Sequence, residues 1–236
     1  MRIIRELIKL LYPAKCPFCK EILLGDAEEI CVSCRRKIEF IQEPRCKKCG
    51  KPVFREEKEY CYDCEQNIWF FEEGRNLWVH KPPVSDAIYR FKYHNMKCYG
   101  KVFGKEMAVR FASYIKSRKI DVIVPVPLHK KRKRNRGYNQ SELLAKEISE
   151  RVNIPCDSDG LIRLKKTNPQ KILGHRGRRA NIKDAFRTTK SFENKNILLI
   201  DDIYTTGNTL NEAAKKLKYA GAQNVYFLTI SIGQGF

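Results

Sequence analysis

The chain has 236 residues, 42% of them apolar, and 47 lysines and arginines against 27 acidic residues give a formal charge of +20. Such a composition supports one moderate core or a compact domain with an appendage, two units being the expected division, and it contains no run approaching the ~18 uninterrupted apolar residues of a membrane span. The positive surplus favours polyanionic partners such as nucleic acid or phosphorylated metabolites, and with no signal peptide in view the expected setting is the cytoplasm, where thiols stay reduced.

Residues 1–11 place Ile3, Ile4, Leu7, Ile8 and Leu11 on one helical face broken by Arg2, Arg5, Glu6 and Lys9, which predicts a short docking helix. Eight of the ten cysteines follow as four C-x₂-C pairs, Cys16/Cys19, Cys31/Cys34, Cys46/Cys49 and Cys61/Cys64, with eleven residues between successive pairs. A C-x₂-C turn aims two thiolates at one ion and tetrahedral Zn²⁺ takes four, so the repeat predicts two closed, structural Cys₄ sites. Metal binding would supply the folding energy that so short and polar a segment lacks in core, with disulfides as the alternative. Sequential and interleaved pairings both satisfy four-coordination; the sequential one closes the smaller loop and is expected. Eight thiolates and two Zn²⁺ would lower the net charge by four, to about +16. Cys98 and Cys156 fall outside the repeat and read as small apolar residues.

A strand is expected near 77–79, helices across 84–118, and a buried strand over 121–126 that ends in a proline-rich turn. The basic stretch 130–136 reads as a loop that could bind pyrophosphate, follow a nucleic-acid backbone or simply be solvated. Gly137-Tyr138-Asn139-Gln140 then favours a shaped ligand loop, Tyr138 belonging either to the ligand or to the core. Leu143, Leu144, Ile148 and Val152 predict a helix capped by Asn139. After a strand near 161–164, residues 165–181 are long, basic and punctuated by glycine, which fits a lid or a plain surface loop. As a lid the segment would bring Gln170, Arg176 and Arg179 over a bound anion; His175 within it has no visible partner.

The richest segment is 196–210. Asn196-Ile-Leu-Leu-Ile200 reads as a central parallel strand buried on both faces, and ligands of such sheets bind beyond the carboxyl ends of the strands, where Asp201 and Asp202 stand. Adjacent carboxylates suit vicinal sugar hydroxyls. Thr205, Thr206, Gly207, Asn208 and Thr209 can offer backbone N–H groups and hydroxyls to a phosphate at the start of a helix carried by Leu210, Ala213, Ala214 and Leu217 and stopped at Gly221. A generic P-loop is excluded by the missing Gly-Lys-Ser/Thr. A last strand over 225–232 completes a mostly parallel sheet.

Leu199-Ile-Asp-Asp-Ile-Tyr-Thr-Thr-Gly-Asn-Thr209 closely resembles the signature with which type I phosphoribosyltransferases bind 5-phosphoribosyl pyrophosphate (PRPP). With the cysteine module, Phe91-Lys92-Tyr93, Val124-Pro-Val-Pro-Leu128, Arg136-Gly-Tyr-Asn-Gln140 and residues 170–181, nearly the whole chain is similar to the ComF family. Its members join an N-terminal zinc finger to a phosphoribosyltransferase domain and are linked to natural competence, the uptake of single-stranded DNA. The resemblance implies an α/β domain of the type I phosphoribosyltransferase fold over 71–236, behind a helix and double zinc ribbon over 1–70. It further implies PRPP bound with Mg²⁺, Asp201 and Asp202 acting in catalysis on the ribose, and Thr205 to Thr209 on the 5′-phosphate. Lys92, Arg136, Tyr138 and Gln140 would stand around the ligand, with Gln170, Arg176 and Arg179 over the pyrophosphate. No residue visibly selects a base, and the short C-terminus leaves little room for a base-binding hood. The rival is therefore a non-catalytic factor binding nucleotide or single-stranded DNA, or an adaptor for a DNA-uptake helicase or other competence protein.

Overall fold

The computed structural model describes residues 13–23, 29–53, 57–165 and 184–233. The helix expected over 1–11 and the segment bearing Gln170, Arg176 and Arg179 lie outside them.

The cysteine module holds two short helices, α1 (Val32–Lys37) and α2 (Tyr62–Glu65). Beyond it come β1 (Glu73–Val79), α3 (Val84–Tyr93), α4 (Tyr99–Ser117), β2 (Val122–Pro125), α5 (Lys130–Arg136) and α6 (Gln140–Val152). The chain continues through β3 (Leu161–Arg163), β4 (Phe186–Thr188), β5 (Asn196–Tyr204), α7 (Asn208–Tyr219) and β6 (Asn224–Ile232). The main sheet runs β1-β6-β5-β2 with every neighbour parallel. Ile197 to Ile200 of β5 are fully buried, as a central strand covered by helices on both faces requires. The strand outruns this apolar run as far as Tyr204, because β6 continues beside it: Asp201 pairs with Thr229 and Tyr204 with Ile232.

Two expectations need correcting. The strand near 161–164 exists but pairs antiparallel with β4 in a separate two-stranded ladder. Three residues with only Leu161 buried do not make a strand that can sit inside the main sheet. The basic stretch 130–136 is a helix rather than a loop, although it buries no residue. Its ends account for it: the His129 ring accepts from the Lys131 amide at 3.3 Å, and Gly137 terminates the helix at φ +81°, where a side chain would be strained.

α6 packs across α4, and the approach is close: a Cβ at Gly104 would come within 2.6 Å of the Glu147 Cβ. α7 buries Leu210, Ala213, Ala214 and Leu217, the four positions its periodicity marked. Asn139 occupies the N-cap position of α6 but makes no cap bond, since its Nδ2 donates to the Val126 carbonyl at 3.1 Å. Cys98 is exposed rather than packed, and Cys156 is half-buried beside Ser158.

The two halves of the cysteine module are built alike. Cys16–Cys19 and Cys46–Cys49 form knuckles closed by the Lys20 and Gly50 amides donating to the carbonyls of Cys16 and Cys46, each at 2.9 Å. Cys31/Cys34 and Cys61/Cys64 instead open α1 and α2. The connection between halves runs along the outer edge of β1. Phe40 pairs antiparallel with Trp78, and the Val79 amide donates to the Glu39 carbonyl at 2.9 Å. Asn76 within β1 donates to the Cys49 carbonyl at 2.8 Å and accepts from Thr229 at 2.7 Å. Both apolar clusters of the molecule include ribbon cysteines: Cys16 and Cys34 with Trp78, Phe91 and Phe103, and the second four with Val124, Leu199 and Phe227.

Candidate functional site

Beyond the carboxyl ends of β2 and β5 lies a cleft of about 880 Å³. Asp201 forms part of its floor, accepting from the Ser141 hydroxyl at 3.0 Å and the Asp202 amide at 2.9 Å. Burial first, and then the neighbouring Asp202 charge, push its carboxyl up to about 7 against the opposing pull of those donors and Lys92. Asp202 points to Lys92, with Nζ and Oδ1 2.7 Å apart and both side chains largely buried.

Why Lys92 reaches that acid follows from the loop between α5 and α6. The Tyr138 hydroxyl and Gln140 Nε2, the latter at 3.1 Å, both donate to the Phe91 carbonyl, one residue before Lys92. Gln140 Oε1 accepts from Arg136 at 2.6 Å. Tyr138 and Gln140 are themselves buried and do not line the cleft. They act from beneath, fixing α3 against the loop, whereas Lys92 and Arg136 face the cavity.

The turn from β5 to α7 forms another wall. Thr205, Gly207 and Thr209 line the cleft; Thr206 and Asn208 belong to the same turn without lining it. Gly207 has φ +73° and stands at the N-cap of α7, where it carries no capping side chain, so the positive end of a twelve-residue helix opens on the cleft. A Cβ there would collide with the Tyr204 hydroxyl and lie 2.8 Å from Trp69 Cζ3. Tyr204 is 4% exposed and its hydroxyl, like Thr206 Oγ1, is buried with no hydrogen-bond partner among the described residues. Burial, then the nearby thiols led by Cys49, raise the Tyr204 pKa well above its usual value. Residues 68–71 strap this turn from outside: Asn211 accepts from the Phe70 amide at 2.7 Å and donates to the Ile68 carbonyl at 3.2 Å.

Two arginines complete the site: Arg132 belongs to the basic stretch 130–136 marked in the sequence, whereas Arg163 did not stand out there. Arg163, on β3, is pushed down to about 10 by burial and then by Arg132, with Asp201 pulling the other way. Arg132 is lowered by burial and then by Arg136. Asp201, Arg163, Arg132 and Arg136 all line the cleft, which sets an anionic floor among cationic side chains. Ser141 is the second unexpected participant, placed by the first turn of α6.

Within each sequential set, Cys16, Cys19, Cys31 and Cys34 and then Cys46, Cys49, Cys61 and Cys64, the four sulfurs lie within 4.8 Å of one another. Cys19 to Cys31 and Cys49 to Cys61 are 3.6 Å apart, close to the ~3.8 Å edge of a tetrahedron of Zn–S bonds. The sequential pairing is therefore the observed one. Among the described residues no helix is long and apolar enough to cross a membrane.

Residues 7–65 match the family described as double zinc ribbon domain, and residues 104–231 the phosphoribosyl transferase domain. "Competence protein F" of Haemophilus influenzae is 36% identical over 149 residues, 61% of this chain and 65% of that protein. "DNA utilization protein YhgH" of Escherichia coli O157:H7 is 30% identical, covering 62% of this chain and 66% of that protein. "Competence protein ComFC" of Bacillus subtilis is 32% identical, covering 62% and 58%. The chain thus spans somewhat less than two thirds of the length of these relatives. The similarity to the ComF family read from the sequence is met by all three.

Proposed function

Because the chain belongs to the phosphoribosyl transferase domain family, we propose that its cleft binds PRPP or a nucleotide sharing the 5-phosphoribosyl group, and that it works in the uptake or use of DNA, as the names of its relatives say of them. The observation that carries this reading is the floor itself: two adjacent carboxylates near the end of β5, followed at once by a helix N-terminus that opens on glycine. Asp201 and Asp202 would accept from the ribose hydroxyls, with Ser141 and Lys92 holding them in place. The Thr205 to Thr209 turn would take the 5′-phosphate through backbone amides. Arg132, Arg136 and Arg163 are placed to stabilise a diphosphate, and Gln170, Arg176 and Arg179 are assigned to the closing side of the same group.

In this reading the protein is a transferase: a nitrogen nucleophile bonds to C1′ as the C1′–O bond to pyrophosphate breaks and the electron pair leaves on pyrophosphate. Asp201 and Asp202 lie on the side where positive ribose charge develops and lower its energy. The carboxylate oxygens of the floor are the hard donors compatible with Mg²⁺, which when bound neutralises the diphosphate. Calorimetric titration of PRPP with Mg²⁺ into wild type and the Asp201→Asn/Asp202→Asn variant, followed by pyrophosphate assays with each nucleobase, tests the proposal. Affinity should fall at least tenfold in the variant, and one base should release pyrophosphate. An absence of PRPP binding to wild type would sink the site reading, and binding without release for any base would sink the transferase.

A further inference from the structure

We infer that the mouth of the cleft carries a stacking subsite for a nucleobase, built on α3 by Tyr89 and Tyr93. The inference rests on the phosphoribosyl reading of the floor and adds the part of the ligand that the floor does not address. The apolar face of α3 is used up inside: Val84, Ala87, Ile88 and Phe91 are buried. Tyr89 and Tyr93, four residues apart and hence on one face, are instead 50% and 58% exposed and line the cleft. Their ring centroids are 4.9 Å apart, and the His94 ring lies 5.5 Å from Tyr89. Tyrosine exposed beside a ligand cavity offers a large flat surface with little rotamer entropy to lose, which is the chemistry of base stacking.

Placement makes the pair more than a surface accident. Lys92, the residue before Tyr93, reaches the floor and meets Asp202 at 2.7 Å, so the rings stand beside the proposed ribose position on the same helix turn. The Arg136 guanidinium lies 5.0 Å over the Tyr93 ring, and Arg132 and Arg163 line the same cleft. Lys97 and Arg134 add charge at the rim, and the only acids among the described lining residues are Asp201 and Asp202. A ligand with a base on the tyrosines, phosphates on the arginines and its ribose on the acids fits each wall by its chemistry. A mononucleotide has these parts, and so does the 5′-phosphorylated end of a single strand.

Three probes separate the possibilities in the full chain: PRPP, adenosine 5′-monophosphate, and a 5′-phosphorylated oligodeoxyadenylate, each titrated into wild type and Tyr89→Leu/Tyr93→Leu. Leucine keeps apolar bulk at two exposed positions, and a thermal melt verifies folding. PRPP, having no base, should bind both proteins within about twofold, whereas the base-bearing probes should bind the variant about tenfold more weakly. Tighter binding of the oligonucleotide than of the mononucleotide assigns the subsite to a strand end, and equal binding assigns it to a nucleotide. Unchanged affinity of both base-bearing probes for the variant, or their failure to bind wild type while PRPP binds, overturns the subsite alone. Failure of PRPP to bind wild type overturns the floor reading beneath it.

Discussion

Asp201 and Asp202 are neighbours in sequence with unequal surroundings. Asp202 meets the Lys92 ammonium directly, whereas Asp201 is more deeply buried with a like charge beside it, and burial first and that charge second raise its carboxyl to about 7 against the weaker pull of Lys92. A folded-state value raised above the ordinary 3.8 means that the native protein holds a proton the unfolded chain has released. The associated stability is complete below about pH 4 and is lost as pH rises through 7. Asp201→Asn has no proton to lose, so its unfolding free energy relative to wild type should rise between pH 5 and pH 8 by on the order of 3 kcal/mol in the ligand-free protein, read from denaturant titrations at the two pH values. Equal pH profiles for the two proteins would show that the raised value is wrong. The acids were legible in the sequence because they follow a four-residue apolar run and precede a threonine-glycine turn. Lys92 was legible only through the family motif, and Arg163 not at all: among 47 basic residues its position in three residues of strand carries no local mark. What selects it is the β3–β4 ladder, which brings it to the cleft.

At the scale of elements, the turn between β5 and α7 is held on two sides, by Tyr204 stacked on Phe227 at 5.3 Å within the core and by the 68–71 strap outside it. Gly207→Ala would force a β-carbon into the left-handed region and against the Tyr204 hydroxyl. The expected result is loss of PRPP affinity by at least tenfold with about 1–2 kcal/mol of destabilisation and both zinc ions retained. Measuring zinc content beside the titration checks it, and unaltered affinity would mean that the turn does not shape the anion site. The helix after this turn was readable because its apolar spacing is strict. α5 was not, since seven residues with no buried side chain have no periodicity to display, and only the caps at His129 and Gly137 define it.

The whole molecule does not treat its ribbons as an attachment. Cysteines of both ribbons belong to the same two apolar clusters as the sheet, and the connection between the ribbons occupies an edge that would otherwise expose unpaired backbone groups. Cysteine spacing in the sequence announced two metal sites but could not show this joint packing, because the contacts run between Trp78 or Phe227 and residues far away in the chain. The two tryptophans report the outcome separately: Trp78 packs on Phe18 at 5.5 Å beside the first ribbon, and Trp69 rests against the β5–α7 turn near the second. Cys49→Ser should abolish one zinc equivalent, shift both tryptophan signals and lower stability by several kcal/mol, on the order of the ~10 kcal/mol a structural zinc can supply. Zinc loss with unchanged fluorescence and PRPP binding would show a detachable module instead.

The covered edge of β1 also has a meaning in time. Translation delivers the ribbons first and β1 directly after them, yet the other edge of β1 pairs with β6, Glu73 with Tyr226, so that partner emerges only after every other strand of the sheet. A nascent chain charged with zinc can therefore hold its first strand on one side, already shielded, through the long wait for the other. Zinc supply during synthesis would then govern how much of the protein reaches its native state.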